Sequence, residues 1–352
     1  MRSFEYARPE TEAEALEMLA EHGGNTAVLA GGTDLMNLLK RDVIQPARVV
    51  DIKNVASWRG IQPHDGGILI GANTTLDEIN TSALAADYRS LIDVIDGIRA
   101  IQITSNGTLA GDLCQLPHCW YFRNGYGLLA MQDGESLVAT GDNRYHAILG
   151  NSGPAKFVSA SRFAPPAIAW DAKVRIVTRD ERRETRGESK SELSTLDSQL
   201  STVREEWIPL EYFFQTPKTN SQGVTVLKPG QLITHVWLPA AGDTRSATYE
   251  VLELCGLDQP QAAAACCLGL DGGIVRRAKI VLGHVAPTPW IAHEASKWLV
   301  GQQLTPDVAE TAGRMALSKA TPLSHNGYKV TMAQTAVKRA LLKATNQLGE
   351  VL

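Results

Sequence analysis

The chain is short of most features that announce a chemistry. Its 352 residues hold five cysteines, Cys114, Cys119, Cys255, Cys266 and Cys267, and none stands in C-x-x-C spacing. An odd, scattered set argues against a secreted disulfide framework and against a zinc site. There is no basic run, and the formal net charge is −4, which argues against nucleic acid as the partner. No apolar stretch approaches the length needed to span a membrane. Residues 1–27 are acidic and amphipathic rather than signal-like, so a cytoplasmic location is expected. A G-x-G-x-x-G fingerprint, a Walker loop and a nucleophile elbow are all missing, which removes the dinucleotide fold of the Rossmann type, the P-loop NTPases and the α/β-hydrolases from consideration. What remains is ordinary globular composition, 44% hydrophobic and 20% charged, in a chain long enough for two or three domains.

Against this background one stretch stands out, Val28 to Leu39, VLAGGTDLMNLL. It starts as an apolar strand, breaks at Gly31-Gly32, offers Thr33 and Asp34 as helix caps and continues as an apolar helical run. Two glycines let a ligand approach the backbone with no Cβ in the way. The free N–H groups of a turn entering a helix form an anion site, for which a phosphate or diphosphate is the natural occupant. The same pattern also fits an ordinary βα turn with its cap. A second glycine turn lies about 75 residues on, Ser105-Asn106-Gly107-Thr108-Leu109-Ala110-Gly111-Asp112.

Together the two turns resemble the paired FAD-diphosphate loops of the flavoprotein (medium) subunits of molybdenum hydroxylases, the xanthine dehydrogenase and carbon monoxide dehydrogenase family. That family reads A-G-G-x-[ST/D]-L in the first loop and T-I-G-G-N in the second. Ala30-Gly31-Gly32-Thr33-Asp34-Leu35 matches the first. The second departs, with Ala110 where a glycine is usual and Asp112 where asparagine is usual. The resemblance extends along the chain: F-x-Y-x-R-P-x-T-x-x-E-A at the start, Ile208 to Phe214 near L-x-x-F-F, Leu227 to Ile233 near L-x-P-x-E-L-I, and Gly283-His284-Val285-Ala286-Pro287-Thr288-Pro289 as the G-x-V-A-P-x-P of the C-terminal domain.

Pattern reading places a strand at the start, a helix over 11–21 with Thr11 and Glu14 as a capping box, strands near 27–30 and 49–52, a hairpin turn at Asp65-Gly66-Gly67, and a helix over 84–98. A mixed apolar run over 167–177 passes into a strand. Residues 178–206 carry six Lys/Arg against eight Asp/Glu with no apolar face, which reads as an exposed excursion. Strands over 262–270 and 274–283 then flank a turn at Asp271-Gly272-Gly273, with helices near 291–300, 306–319 and 331–348 after them. Adjacent Cys266 and Cys267 should point to opposite faces of their strand. The fold class expected is α+β: a two-subdomain FAD-binding domain of the PCMH type over 1–230, then a domain of a small antiparallel sheet plus helices over 236–349.

The stretch from 119 to 154 has no sustained period and reads as a long ordered loop. It resembles the insertion of the hydroxybenzoyl-CoA reductase and aldehyde oxidoreductase branch, where four cysteines hold an extra [4Fe–4S] cluster. Only Cys119 is present here, so no such cluster is expected. His118 and His146 read as hydrogen-bonded structural residues rather than metal ligands.

The resemblance implies FAD in this chain, held by Leu29, Ala30, Gly31, Gly32, Thr33, Asp34 and Leu35 and by Asn106, Gly107, Thr108, Gly111 and Asp112, with Ile233 against the flavin ring. Asp34 and Asp112 would meet repulsion beside phosphate, so they are expected to cap helices or meet hydroxyls. Arg162 falls where the family has an aspartate near the flavin, and that acidic contact is not carried over. No catalytic side chain is expected, because a flavin does its own redox chemistry. The implied role is an electron-transfer subunit. A large molybdenum-cofactor subunit oxidises the substrate, a small [2Fe–2S] subunit relays electrons, and FAD passes them to an external acceptor. Two other readings stay open on the sequence, a flavin-free scaffold subunit and a stand-alone flavin oxidase.

Overall fold

The computed structural model describes residues 1–179, 203–254 and 258–349. The chain opens with β1 (Glu5–Ala7) and α1 (Glu12–Ala20). Thr11 caps α1 by accepting from the Glu14 N–H at 3.2 Å. The expected capping box does not close, because the Glu14 carboxylate reaches back to the Glu10 N–H instead. β2 (Thr26–Leu29), α2 (Leu35–Lys40) and β3 (Arg48–Asp51) follow. β3 lies between β1 and β2 and is parallel to both. This small parallel sheet is the first subdomain.

The second subdomain begins at the hairpin of β4 (Ile61–His64) and β5 (Gly67–Gly71), whose turn, Asp65-Gly66, has positive φ at both residues. Thr75 and Glu78 form a complete capping box on α3 (Leu76–Thr81). α4 (Arg89–Gly97) is shorter than the periodicity suggests, starting after Tyr88 rather than near residue 84. The Tyr88 hydroxyl donates to the Pro239 carbonyl at 2.7 Å, and its ring packs edge-on to Trp170. Those tertiary contacts hold the preceding turn out of the helix. α5 (Ile101–Thr104) and α6 (Leu109–Leu113) flank the second glycine turn.

The 119–154 loop contains only short pieces, α7 (Trp120–Arg123), the hairpin of β6 (Met131–Gln132) and β7 (Glu135–Ser136), and α8 (Leu137–Thr140). The mixed apolar start of the run over 167–177 overlaps a helix, α9 (Ala164–Ala169), opened by prolines at its first turn, and the second half is strand as expected. That strand, β8 (Lys173–Arg179), pairs along its full length with β9 (Val203–Pro209). The ends of the expected excursion are therefore ladder, since a backbone partner outweighs their charge; residues 180–202 lie outside the described residues.

β10 (Leu232–Leu238) inserts between β5 and β8, giving an antiparallel sheet of order β4-β5-β10-β8-β9. The boundary expected between 230 and 236 therefore cuts a strand that the first unit needs, and we place it in 239–244 instead. β11 (Arg245–Val251), β12 (Ala262–Asp271), β13 (Ile274–Gly283) and β14 (Trp290–Ile291) form the last antiparallel sheet, followed by α10 (His293–Leu299), α11 (Pro306–Ala316) and α12 (Tyr328–Ala344).

Small residues on β12 let both faces pack tightly. Ala264 and Cys266 join the core against α10 to α12, whereas Ala265 and Cys267 join the core of the first unit. The two cysteines thus face opposite ways, as strand alternation requires. The two units are also tied by polar contacts. Thr248 donates from its N–H to Asp93 at 2.9 Å and from its hydroxyl to the Ser90 carbonyl at 2.7 Å.

Candidate functional site

The two glycine turns face each other across a cleft of about 440 Å³ between the subdomains. Their glycines are needed first for this approach. A Cβ on Gly31 would lie 1.9 Å from the Asn106 carbonyl oxygen, so only glycine lets the first turn sit on the second. Gly32 has φ +72°, the left-handed region that glycine adopts without strain. The second turn is held by two backbone bonds, Gly107 N–H to Ile103 at 2.7 Å and Leu76 N–H to the Gly107 carbonyl at 3.0 Å. Thr108 caps α6 by accepting from the Gly111 N–H at 3.1 Å.

The peptide N–H groups of Gly31, Gly32, Thr33 and Asp34 donate to nothing among the described residues. Four adjacent donors left open on the floor of a cleft suit an anion that accepts several backbone hydrogen bonds. This is the observation by which the site fits a dinucleotide diphosphate.

The acidic residues behave differently from the caps expected of them. Asp34 stands at the N-terminus of α2 but makes no side-chain cap, and Thr33 is exposed and does not cap either. The Asp34 carboxylate is drawn instead to the Arg123 guanidinium at 2.8 Å, a pair in which the arginine is 8% and the aspartate 16% exposed. Arg123 also donates to the Leu116 and Pro117 carbonyls at 2.9 Å. It therefore neutralises Asp34 and fixes the start of the long loop against the cleft. Nothing local in the sequence marks Arg123 for this, since its partner is 89 positions away.

Asp112 is buried, and its carboxylate is taken up by donors of the protein itself. It accepts from the Ser161 hydroxyl, from the Phe163 N–H at 3.1 Å and from Gln115 at 3.2 Å. It meets a hydroxyl, as expected, but as a tie between α6 and the turn leading into α9. Burial pushes its carboxyl up to about 6, against the lowering effect of the Ser161, Phe163 and Arg162 donors. The neighbouring Arg162 makes a two-pronged, buried pair with Glu250 on β11. Arg162 therefore joins the two units while one side of it lines the cleft.

Of the residues expected at the site, Ala30 to Leu35, Gly107, Thr108, Gly111, Asp112 and Ile233 all line the cleft. Leu29 and Asn106 do not. Leu29 ends its strand behind the turn, and the Asn106 side chain folds back onto the Gln102 carbonyl and Ser105. Ile233, on β10, is buried in the first core and reaches the cleft wall beside Leu232. Gln231 and Gln259 also line it and were not foreseen. Gln259 comes from the far unit, and no local pattern carries such a contact.

Residues 2–241 match the model of the FAD binding domain in molybdopterin dehydrogenase, and residues 247–344 that of the CO dehydrogenase flavoprotein C-terminal domain. The carbon monoxide dehydrogenase medium chain of Afipia carboxidovorans is 25% identical over 97% of this chain and 96% of its own length. The aldehyde oxidoreductase FAD-binding subunit PaoB of Escherichia coli is 24% identical over 99% of this chain and 100% of its own. Among solved structures, a Cu,Mo-CO dehydrogenase chain superposes with a TM-score of 0.73 at 22% identity, covering 99% of both chains. A chain of quinoline 2-oxidoreductase from Pseudomonas putida 86 gives 0.72 at 20%, covering 98% of both. The α+β architecture and the resemblance read from the two glycine turns are thereby borne out: the chain belongs to the family of FAD-binding subunits of molybdopterin dehydrogenases.

Proposed function

We propose that this chain holds FAD in the cleft between the two glycine turns and relays electrons for a molybdenum hydroxylase. The observation that carries the site is the set of four peptide N–H groups from Gly31 to Asp34 that have no partner among the described residues. In this reading they receive the diphosphate, while Ala30, Leu35, Gly107, Thr108 and Gly111 shape the walls around it. Arg123 keeps the Asp34 carboxylate paired and so removes a charge that would repel phosphate. Asp112 keeps its carboxyl turned into the protein, on Ser161 and Phe163. Ile233 and Leu232 offer an apolar wall suited to a flat ring. When bound, the flavin supplies the capacity to take up and release electrons; the chain supplies anchorage, orientation and exclusion of water.

Electrons would arrive from a small [2Fe–2S] subunit, fed by a large subunit carrying the molybdenum cofactor, and leave to an external acceptor. The full-length match to medium chains and FAD-binding subunits supports a place in such a heteromeric complex. No helix among the described residues is long and apolar enough to cross a membrane, and we place the complex in the cytoplasm. Affinity purification of the tagged chain from its native cells tests this reading. Two partners, one with molybdenum and one with iron and labile sulfide, are expected. A preparation containing only this chain that still oxidises an organic substrate would favour the stand-alone oxidase.

A further inference from the structure

A second cavity, of about 240 Å³, lies behind the first and shares two wall residues with it, His118 and Gln259. It is formed where the 119–154 loop meets the Gly283-His284 turn and the start of α12. Three aromatic side chains, Trp120, Tyr145 and Phe157, give it flat apolar walls. Its volume is below the range of about 300–1,000 Å³ usual for drug-sized ligands, and suits a single substituted ring.

Its polar groups are incompletely paired. His284 is 1% exposed, its backbone is held at φ +59°, and its Nε2 is buried with no hydrogen-bond partner among the described residues. A non-glycine residue in the left-handed region is strained, and such strain persists where the surroundings enforce it. The Gln259 Oε1 is likewise buried without a partner among the described residues. Leaving a buried polar atom unpaired is unfavourable, and a ligand with matching groups removes that cost.

The charges say what the ligand is not. The one ammonium at the cavity, Lys329, donates to the carbonyls of Tyr145, His146 and His284 at 3.3, 3.1 and 2.8 Å. Those backbone oxygens engage it, so it is turned away from an incoming anion. Burial drives His146 down to about 4 and His284 well below its usual value, so both imidazoles are neutral at pH 7. Glu253 and Asp258 also line the cavity and oppose negative charge.

We propose that this second cavity binds a neutral aromatic carboxamide, its ring between the aromatic walls and its amide edge between Gln259 and His284. An amide N–H donates to the Gln259 Oε1. The amide edge also offers both a donor and an acceptor, so it pairs with the neutral His284 ring in either tautomer. The inference does not rest on the flavin reading, since no atom of that cofactor enters it.

The test is calorimetric titration of the full chain with benzamide and with its anionic isostere, benzoate. Benzamide is expected to bind saturably at one site per chain, with benzoate at least tenfold weaker. Gln259→Leu should weaken benzamide about tenfold, the loss of one buried hydrogen bond. His284→Asn, which tolerates the left-handed backbone, should weaken it similarly. Circular dichroism melting checks that each variant is folded. The proposal is overturned if benzamide shows no saturable binding to the wild-type chain, if benzoate binds as well as benzamide, or if folded Gln259→Leu and His284→Asn both bind benzamide unchanged. Flavin content, measured on the same samples, reports on the cofactor cleft separately.

Discussion

Replacing Gly31 with alanine is the sharpest perturbation that the cleft allows. The new Cβ would stand 1.9 Å from the Asn106 carbonyl oxygen, 2.6 Å from its carbon and 3.0 Å from the Gly107 Cα. Ordinary contact begins near 3.4 Å, so the turns must part by about 1.5 Å. The second turn cannot easily yield, because its bonds to Ile103 and Leu76 hold it from both sides. The first turn must move, and it carries the four free N–H donors. A shift of that size takes a hydrogen bond of about 2.9 Å well past the distance at which it counts as one. Losing two charge-assisted bonds of about 1.5–3 kcal/mol each weakens diphosphate binding by roughly 10²- to 10⁴-fold. The apolar cores do not include Gly31, so the loss of stability should stay near 1–3 kcal/mol. The assay is the flavin-to-protein ratio by visible absorbance after gel filtration, with circular dichroism to verify the fold. Gly32→Ala is the control. It pays backbone strain of about 1–2 kcal/mol, but its Cβ meets only side-chain atoms, the flexible end of Leu29 at 3.0 Å and Met36 Cγ at 3.5 Å, so it should keep more flavin than Gly31→Ala. A folded Gly31→Ala chain with full flavin would refute the argument, and so would the reverse order of the two variants.

Other consequences follow from the buried charges. Asp112 ionises near 6 in the folded chain and near 3.8 in the unfolded one. The folded chain therefore keeps a proton between those values that the unfolded chain releases. Stability from this group is present below about pH 4 and lost as pH rises through 6, by about 3 kcal/mol. Asp112→Asn should flatten that slope in urea titrations across pH 4 to 6; an unchanged slope would contradict it. Arg162→Met leaves Glu250 buried without its partner and should cost about 3–5 kcal/mol, with Arg162→Met/Glu250→Leu recovering part of the loss; chemical unfolding measures both. Lys329→Met unties three backbone carbonyls and should lower stability by about 2–4 kcal/mol while sparing flavin content; a thermal melt unchanged from wild type would deny Lys329 that role.

The sequence made the local devices legible. The turn at Asp65-Gly66, the β12–β13 hairpin and the cysteines facing opposite ways all follow from patterns within a few residues. Most of the residues read from the two glycine turns do line the cleft, because a glycine turn between a strand and a helix has a local signature. What was hidden depends on distant partners. Asp34 gives up its helix cap because Arg123 folds onto it. Gly31 is required by the Asn106 carbonyl, not only by a ligand. The charged end of β9 is ladder because β8 lies beside it. Residues 167–169, in the part of 167–177 read as mixed apolar, belong to helix α9, which starts upstream at Ala164 with Pro165 and Pro166 in its first turn and packs on β12. The division between the units shifted past β10 because a short apolar strand does not declare which sheet will receive it.

Unfolding the purified full chain and separating the released small molecules by chromatography shows whether this chain itself carries FAD in the cleft between its glycine turns. One FAD per folded chain is the result the structure leads us to expect. A folded chain that releases no flavin, and takes up none when FAD is added in excess, would contradict it.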